Sequence, residues 1–117
     1  MLALPGLAAA ECAPARIAGD WLLLSDWDLA CRIAVDAEGA FTSTRNCRGS
    51  AASYSGRLTA AADCAVDLSF SREEGGRLER LRGTGWLAAD QSRIDGYYIE
   101  PGAGAVGLSL LRVRGSP

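Results

Sequence analysis

Residues 64–72 read CAVDLSFSR, and their alternation decides what kind of fold the chain can form. Cys64, Val66, Leu68 and Phe70 fall on one side of an extended chain, and Ala65, Asp67, Ser69 and Ser71 fall on the other. A period of two marks a half-buried strand, with one face on a core and the other in water. EEGG follows at 73–76, placing two consecutive glycines where a tight hairpin turn calls for positive φ. RLERLRGTGWLAAD (77–90) then brings the chain back as a second strand.

The same punctuation recurs on both sides of this hairpin. DWLLLSD (20–26) and LACRIAVD (29–36) read as the first two strands; in the second, Leu29, Cys31, Ile33 and Val35 oppose Arg32, Ala34 and Asp36. The turn AEGA (37–40) leads to FTSTRNC (41–47), and SYSGRLTAA (53–61) sets Tyr54, Gly56 and Leu58 on one face. RIDGYYIE (93–100), the turn PGAG (101–104) and AVGLSLLRVRG (105–115) complete the set. No segment beyond residue 10 carries a stripe of helical period.

Eight short strands joined by tight turns predict an all-β domain. The expected form is an eight-stranded antiparallel up-and-down barrel, which closes on itself and so removes its edges; a β-sandwich is the alternative. The alternation slips twice: Leu78 is out of phase with Leu81 and Leu87, and Leu110 is followed directly by Leu111. A β-bulge in each of those strands is the expected remedy.

At 117 residues the chain holds one domain, expected over 11–117. Its formal net charge is −2 and every basic residue is an arginine, so nothing in the overall field favours nucleic acid or an anionic membrane. Histidine is absent, which removes the commonest general base near neutral pH and the commonest metal ligand. Ser-His-Asp and Cys-His sites cannot be built, and no catalytic residue, metal or cofactor is expected. The paired acids Glu73–Glu74 and Asp26/Asp28 read as solvated turn residues. SREEGGRLERLR (71–82) reads as a charged hairpin whose cross-strand pairs are each worth under ~1 kcal/mol. PGAGAVG (101–107) lacks the Lys-Ser/Thr of a phosphate loop and reads as a turn.

MLALPGLAAA (1–10) looks like the apolar end of a secretory signal with a small-residue cleavage site at Ala8–Ala10, and is expected to be a signal-peptide remnant or a disordered tail. It is too short for a transmembrane segment, which needs about 20 apolar residues. The cysteines Cys12, Cys31, Cys47 and Cys64 contain no C-x-x-C pair, which argues against a zinc or thioredoxin-like site. An even count behind an export signal reads as two disulfides formed in an oxidising compartment, with three pairings possible. Cys31–Cys47 with Cys12–Cys64 is the expected pairing. The first bond would join neighbouring strands across a short connection, and the second would tie the N-terminal segment to the middle of the sheet. Loop entropy sets their worth at about 3 and about 4 kcal/mol. A secreted or periplasmic location follows.

Trp86 precedes Leu87 and Tyr97 precedes Tyr98, so one member of each pair must point outward or into a lumen. Aromatic filling of a narrow core is the first expectation for such rings, and Tyr54, Phe70, Trp86 and Tyr98 are otherwise the candidates to line a pocket for a small apolar ligand.

Gly19-x-Trp21 on the first strand, with Arg112 and Arg114 on the last, resembles the calycin superfamily of lipocalin-like and avidin-like barrels. The resemblance implies that the indole closes one barrel end beneath an arginine of the final strand, held by cation–π stacking and by hydrogen bonds to carbonyls. Gly19, Trp21, Arg112 and Arg114 would be the closing set. Ala18, Gly19, Trp21, Leu23, Cys31, Ile33 and Cys47 most resemble the bacterial metalloprotease-inhibitor family, over about residues 17–47. That resemblance implies a small periplasmic eight-stranded barrel with a disulfide between the two cysteines. Residues ahead of the barrel would form a trunk that enters a protease cleft, its free amine approaching the catalytic zinc. The matching residues are Glu11, Ala13, Pro14, Ala15, Arg16 and Ile17, with Cys12 among them. The expected function is that of a non-catalytic, monomeric binding protein that occludes the active site of another protein, a secreted metalloprotease. A carrier of a small apolar ligand and an envelope-associated structural module are the alternatives.

Overall fold

The computed structural model describes residues 17–26, 28–43 and 47–113. Eight strands follow one another in chain order: β1 (Gly19–Ser25), β2 (Ala30–Val35), β3 (Ala40–Ser43), β4 (Ser53–Ala60), β5 (Ala65–Glu74), β6 (Arg77–Leu87), β7 (Arg93–Glu100) and β8 (Gly104–Arg112). Each pairs antiparallel with the next, and β8 returns to β1 through Trp21↔Arg112 to Ser25↔Leu108, closing an up-and-down barrel. The signal-like residues 1–10, the trunk residues Glu11 and Ala13 to Arg16, Cys12, and Arg114 lie outside the described residues.

The alternation seen in residues 64–72 is carried through the whole β5–β6 hairpin, whose ladder runs unbroken from Ala65↔Trp86 to Glu74↔Arg77. Gly75 and Gly76 turn it with φ of 61° and 79°, the two positive values that a two-residue hairpin loop matching the strand twist requires. Val66 and Leu68 of β5, Leu81 and Leu87 of β6, Ile94 and Tyr98 of β7 and Val106, Leu108 and Leu110 of β8 are buried in the interior. Leu23, Ile33, Val35, Phe41 and Leu58 complete it from β1 to β4. Each side chain of this size contributes about 1.5–3 kcal/mol on leaving water, so the core rather than any ion pair dominates stability.

Two sequence expectations are corrected here. Neither β6 nor β8 contains a bulge: the β5–β6, β6–β7 and β7–β8 registers are continuous. The phase slip is accommodated by leaving apolar side chains outside, with Leu78 exposed and Leu111 half-buried on the outer wall. An outward leucine costs only its own burial, whereas a bulge would interrupt the ladder. Cys64, expected to begin the fifth strand, instead stands in the preceding turn, where its N–H donates to the Ala61 carbonyl and its φ is 74°.

The barrel has two unlike ends. Its base is where β1 begins and β8 finishes; its mouth carries the β1–β2, β3–β4, β5–β6 and β7–β8 connections. At the mouth the β5–β6 hairpin outruns its neighbour, because β7 pairs with β6 only over Gly83–Leu87 and leaves 77–82 without a strand partner on that side.

Candidate functional site

The base is built around Trp21, which is fully buried. Gly19 enters with φ 128°, a conformation essentially limited to glycine, and so turns the chain under the barrel. The Trp21 indole N–H donates to the Ile17 carbonyl at 2.8 Å. Across the β1–β8 seam, the Arg112 guanidinium lies 4.2 Å from the indole ring centroid, within cation–π range. Its Nη1 donates to the Ala18 carbonyl at 2.9 Å and its Nε to the Gln91 carbonyl at 3.0 Å. Burial lowers the Arg112 pKa from its ordinary value, yet a guanidinium remains charged at any physiological pH. This constellation ties the N-terminal approach, the β6–β7 loop and the last strand into one seal.

Ile17 belongs to that seal and not to a free trunk. Its side chain is fully buried and its carbonyl is engaged by Trp21, so it has no surface to offer a protease.

One disulfide joins Cys31 of β2 to Cys47 of the β3–β4 connection. The local backbone prepares it: Ala30 and Arg48 exchange N–H···O bonds of 2.9 and 2.7 Å, which lays the returning loop beside the start of β2. Cys64 is itself a half-cystine, and no free cysteine occurs among the described residues. Cys12, the partner expected for Cys64, lies outside them.

The mouth is lined by aromatic rings and one ion cluster. Tyr54, Phe70 and Tyr98 pack in sequence, the first pair tilted at 45° and the second edge-to-face at 76°, with centroid separations of 6.2 Å and 5.6 Å. The Tyr54 hydroxyl donates to Ser50 Oγ at 2.9 Å. Above the rings Arg72 of β5 forks onto Glu100 of β7, with Nη1–Oε1 and Nη2–Oε2 both 2.7 Å, and onto Glu79 of β6, with Nη2–Oε1 also 2.7 Å. A guanidinium thus spans the place where β6 and β7 no longer pair, replacing missing backbone bonds with charge-assisted ones. The bond to Arg72 holds the Glu100 carboxyl below the usual carboxylate range despite burial. Burial and the adjacent Glu100 carboxylate push the Tyr98 phenol up, keeping it a neutral hydroxyl. The hairpin SREEGGRLERLR thus carries the kind of cross-strand pair its composition implied, Arg72 with Glu79, and Glu100 of β7 joins it from outside the hairpin. Arg72 continues the inward series Val66, Leu68, Phe70, and Glu100 continues Ile94, Tyr98, so the strand phase carried the signal.

The interior cavities lined by the described residues are small. The cavity beneath Tyr54, Phe70 and Tyr98 measures about 20 Å3, and a second one among Leu58, Val66 and Ile94 about 10 Å3. The first holds roughly one water molecule, against at least ~300 Å3 for an ordinary small-ligand pocket. Larger concavities are open ones: about 230 Å3 at the mouth beside Leu29, Tyr54 and Arg72, and about 550 Å3 over Ser50–Ser55, Ser71 and Leu78. Trp86, expected as a lumen candidate, is 60% exposed on the outer wall. The inward set of β6 is odd-numbered, running through Leu81 and Leu87, so an even-numbered residue faces out. Among the described residues no three His, Cys, Asp or Glu groups gather in a way that could hold a metal ion. No helix of the described residues is long and apolar enough to cross a membrane.

These features define a class: a closed eight-stranded antiparallel barrel, disulfide-linked and sealed at one end by an indole beneath an arginine. No family model, curated protein or solved structure matches the chain.

Proposed function

We propose that the protein is a non-catalytic binding protein that engages another protein by its exterior, acting as an inhibitor that occludes a protease active site. The observation that carries this reading is the interior: among the described residues the cavity beneath the mouth aromatics is about 20 Å3, too small to enclose a small apolar ligand. Recognition must then use the ends and the outer wall of the barrel.

The resemblance of Ala18, Gly19, Trp21, Leu23, Cys31, Ile33 and Cys47 to the bacterial metalloprotease-inhibitor family supports the choice of a metalloprotease. Ile17 fixes the point from which Glu11–Arg16 would act, and a segment held at its root loses less entropy on binding than a free one. A disulfide is at home in the periplasm or outside the cell, where secreted proteases act.

The test is inhibition of a purified secreted metalloprotease by the full chain and by a variant lacking 13–16, which keeps Cys12. Stoichiometric inhibition by the first and its loss in the second are expected. Equal inhibition by both would move the contact to another surface, and none by either would overturn the reading.

A further inference from the structure

Among the described residues four large apolar side chains are exposed: Leu78 at 58%, Trp86 at 60%, Tyr97 at 44% and Ile99 at 49%. All four stand on the outer faces of β6 and β7, while the outward residues of β4 and β5 are chiefly serine, threonine, aspartate and arginine. Between Leu78 and Trp86 the outer face of β6 presents Arg80 and Arg82, both exposed and in no ion pair among the described residues. The same stretch, 77–82, is the one that lacks a strand partner on the β7 side.

An open strand edge is a template for another strand, and natural proteins blunt it with charge. Here the charge also selects. A two-fold pairing of this edge with a second copy, centred on Glu79, Arg80 or Leu81, sets Glu79 opposite itself, Arg80 opposite itself, or Arg80 opposite Arg82. Like charges directly opposite destabilise a sheet, so the edge rejects its own copy. A strand carrying carboxylates on its outer face would instead pair with both arginines while its backbone took up the free edge. Polyanions in general are a poorer match: the net charge is −2, two arginines make a small basic footprint, and the surface around them is aromatic and aliphatic.

We propose that 77–82 of β6 is a docking edge for an extended, acidic segment of a partner protein, which adds as a strand with its carboxylates on the outer face beside Arg80 and Arg82. This surface shares no residue with 11–17, and the proposal does not depend on protease inhibition.

The probe is an octapeptide alternating Glu and Val, compared with its Gln and Lys counterparts by fluorescence anisotropy against the full chain. The Glu peptide is expected to bind at least tenfold more tightly than the other two. An Arg80→Glu, Arg82→Glu double variant should reverse the order in favour of the Lys peptide; both positions are exposed, and an unchanged melting temperature shows that the fold persists. N-methylation of one alternate set of peptide nitrogens should abolish binding while methylation of the other set leaves it, because only one row of N–H groups faces β6. Deleting 13–16, which keeps Cys12, should leave the peptide affinity unchanged, which separates this site from the inhibitory one. Equal binding of the Glu and Gln peptides, no binding of any peptide, indifference to charge reversal, equal binding of duplex DNA or anionic vesicles, or self-association through this edge would each overturn the proposal.

Discussion

Arg112 does at the base what no apolar residue could: it stacks on Trp21 and donates to two carbonyls, Ala18 and Gln91, from different segments. Arg112→Ala removes the cation–π contact and leaves two half-buried carbonyls to find water, so a loss of roughly 2–4 kcal/mol in urea unfolding is expected. At the mouth the pH response should come from Glu100. Its carboxyl is held below the usual range in the folded chain, so the unfolded chain binds a proton first on acidification. The stability that Glu100 contributes is complete above its ordinary unfolded pKa and is lost as pH falls through the lower folded value. Glu100→Gln should therefore destabilise by roughly 2–3 kcal/mol at pH 7, with variant and parent converging below about pH 4 in denaturation curves. Trp21 and its arginine were legible because a Gly-x-Trp start and a terminal arginine have a recognisable geometry. Arg72 and Glu100 were legible in principle from phase alone, but their charge argued for solvent, and only the third partner on a neighbouring strand makes their burial tolerable. Trp86 shows the converse: a large aromatic invites placement inside, and the odd–even count on β6 puts it outside.

Strands were the most readable elements, and the reason is visible in β5: one residue in two is apolar, and the turn behind it contains the two glycines that its geometry demands. The strand ends lie within three residues of the periodicity reading where both are described, except that β3 is followed to Ser43 alone. Bulges were not readable, because an out-of-phase leucine looks the same in the sequence whether the backbone slips or the side chain stays outside. Close packing between strands was also hidden. Gly96 of β7 sits where a Cβ would meet the Thr84 carbonyl and the Gly85 Cα of β6. Gly96→Ala should cost about 2 kcal/mol or more, seen as a lower urea midpoint with an unchanged slope. The Cys31–Cys47 bond closes a loop of 16 residues of sequence separation. Replacing both cysteines by serine should lower stability by about 3 kcal/mol, read from the same curves.

At the scale of the whole molecule, the barrel is covalently tied at the mouth, sealed at the base and filled between, and its open surfaces are all external. On the proposed function, a rigid body of this kind leaves little ordering to be done on contact with another macromolecule. Composition had already removed histidine chemistry, and among the described residues the barrel encloses only small cavities. No sequence pattern could have shown the latter, because packing density depends on how eight inner faces interdigitate rather than on any one of them. The most direct test is a titration of the full chain with an environment-sensitive apolar fluorophore, followed through its emission and through tryptophan quenching. A filled barrel gives no saturable one-to-one binding up to the solubility of the dye; saturable one-to-one binding, abolished when Phe70 or Tyr98 is changed, would contradict it.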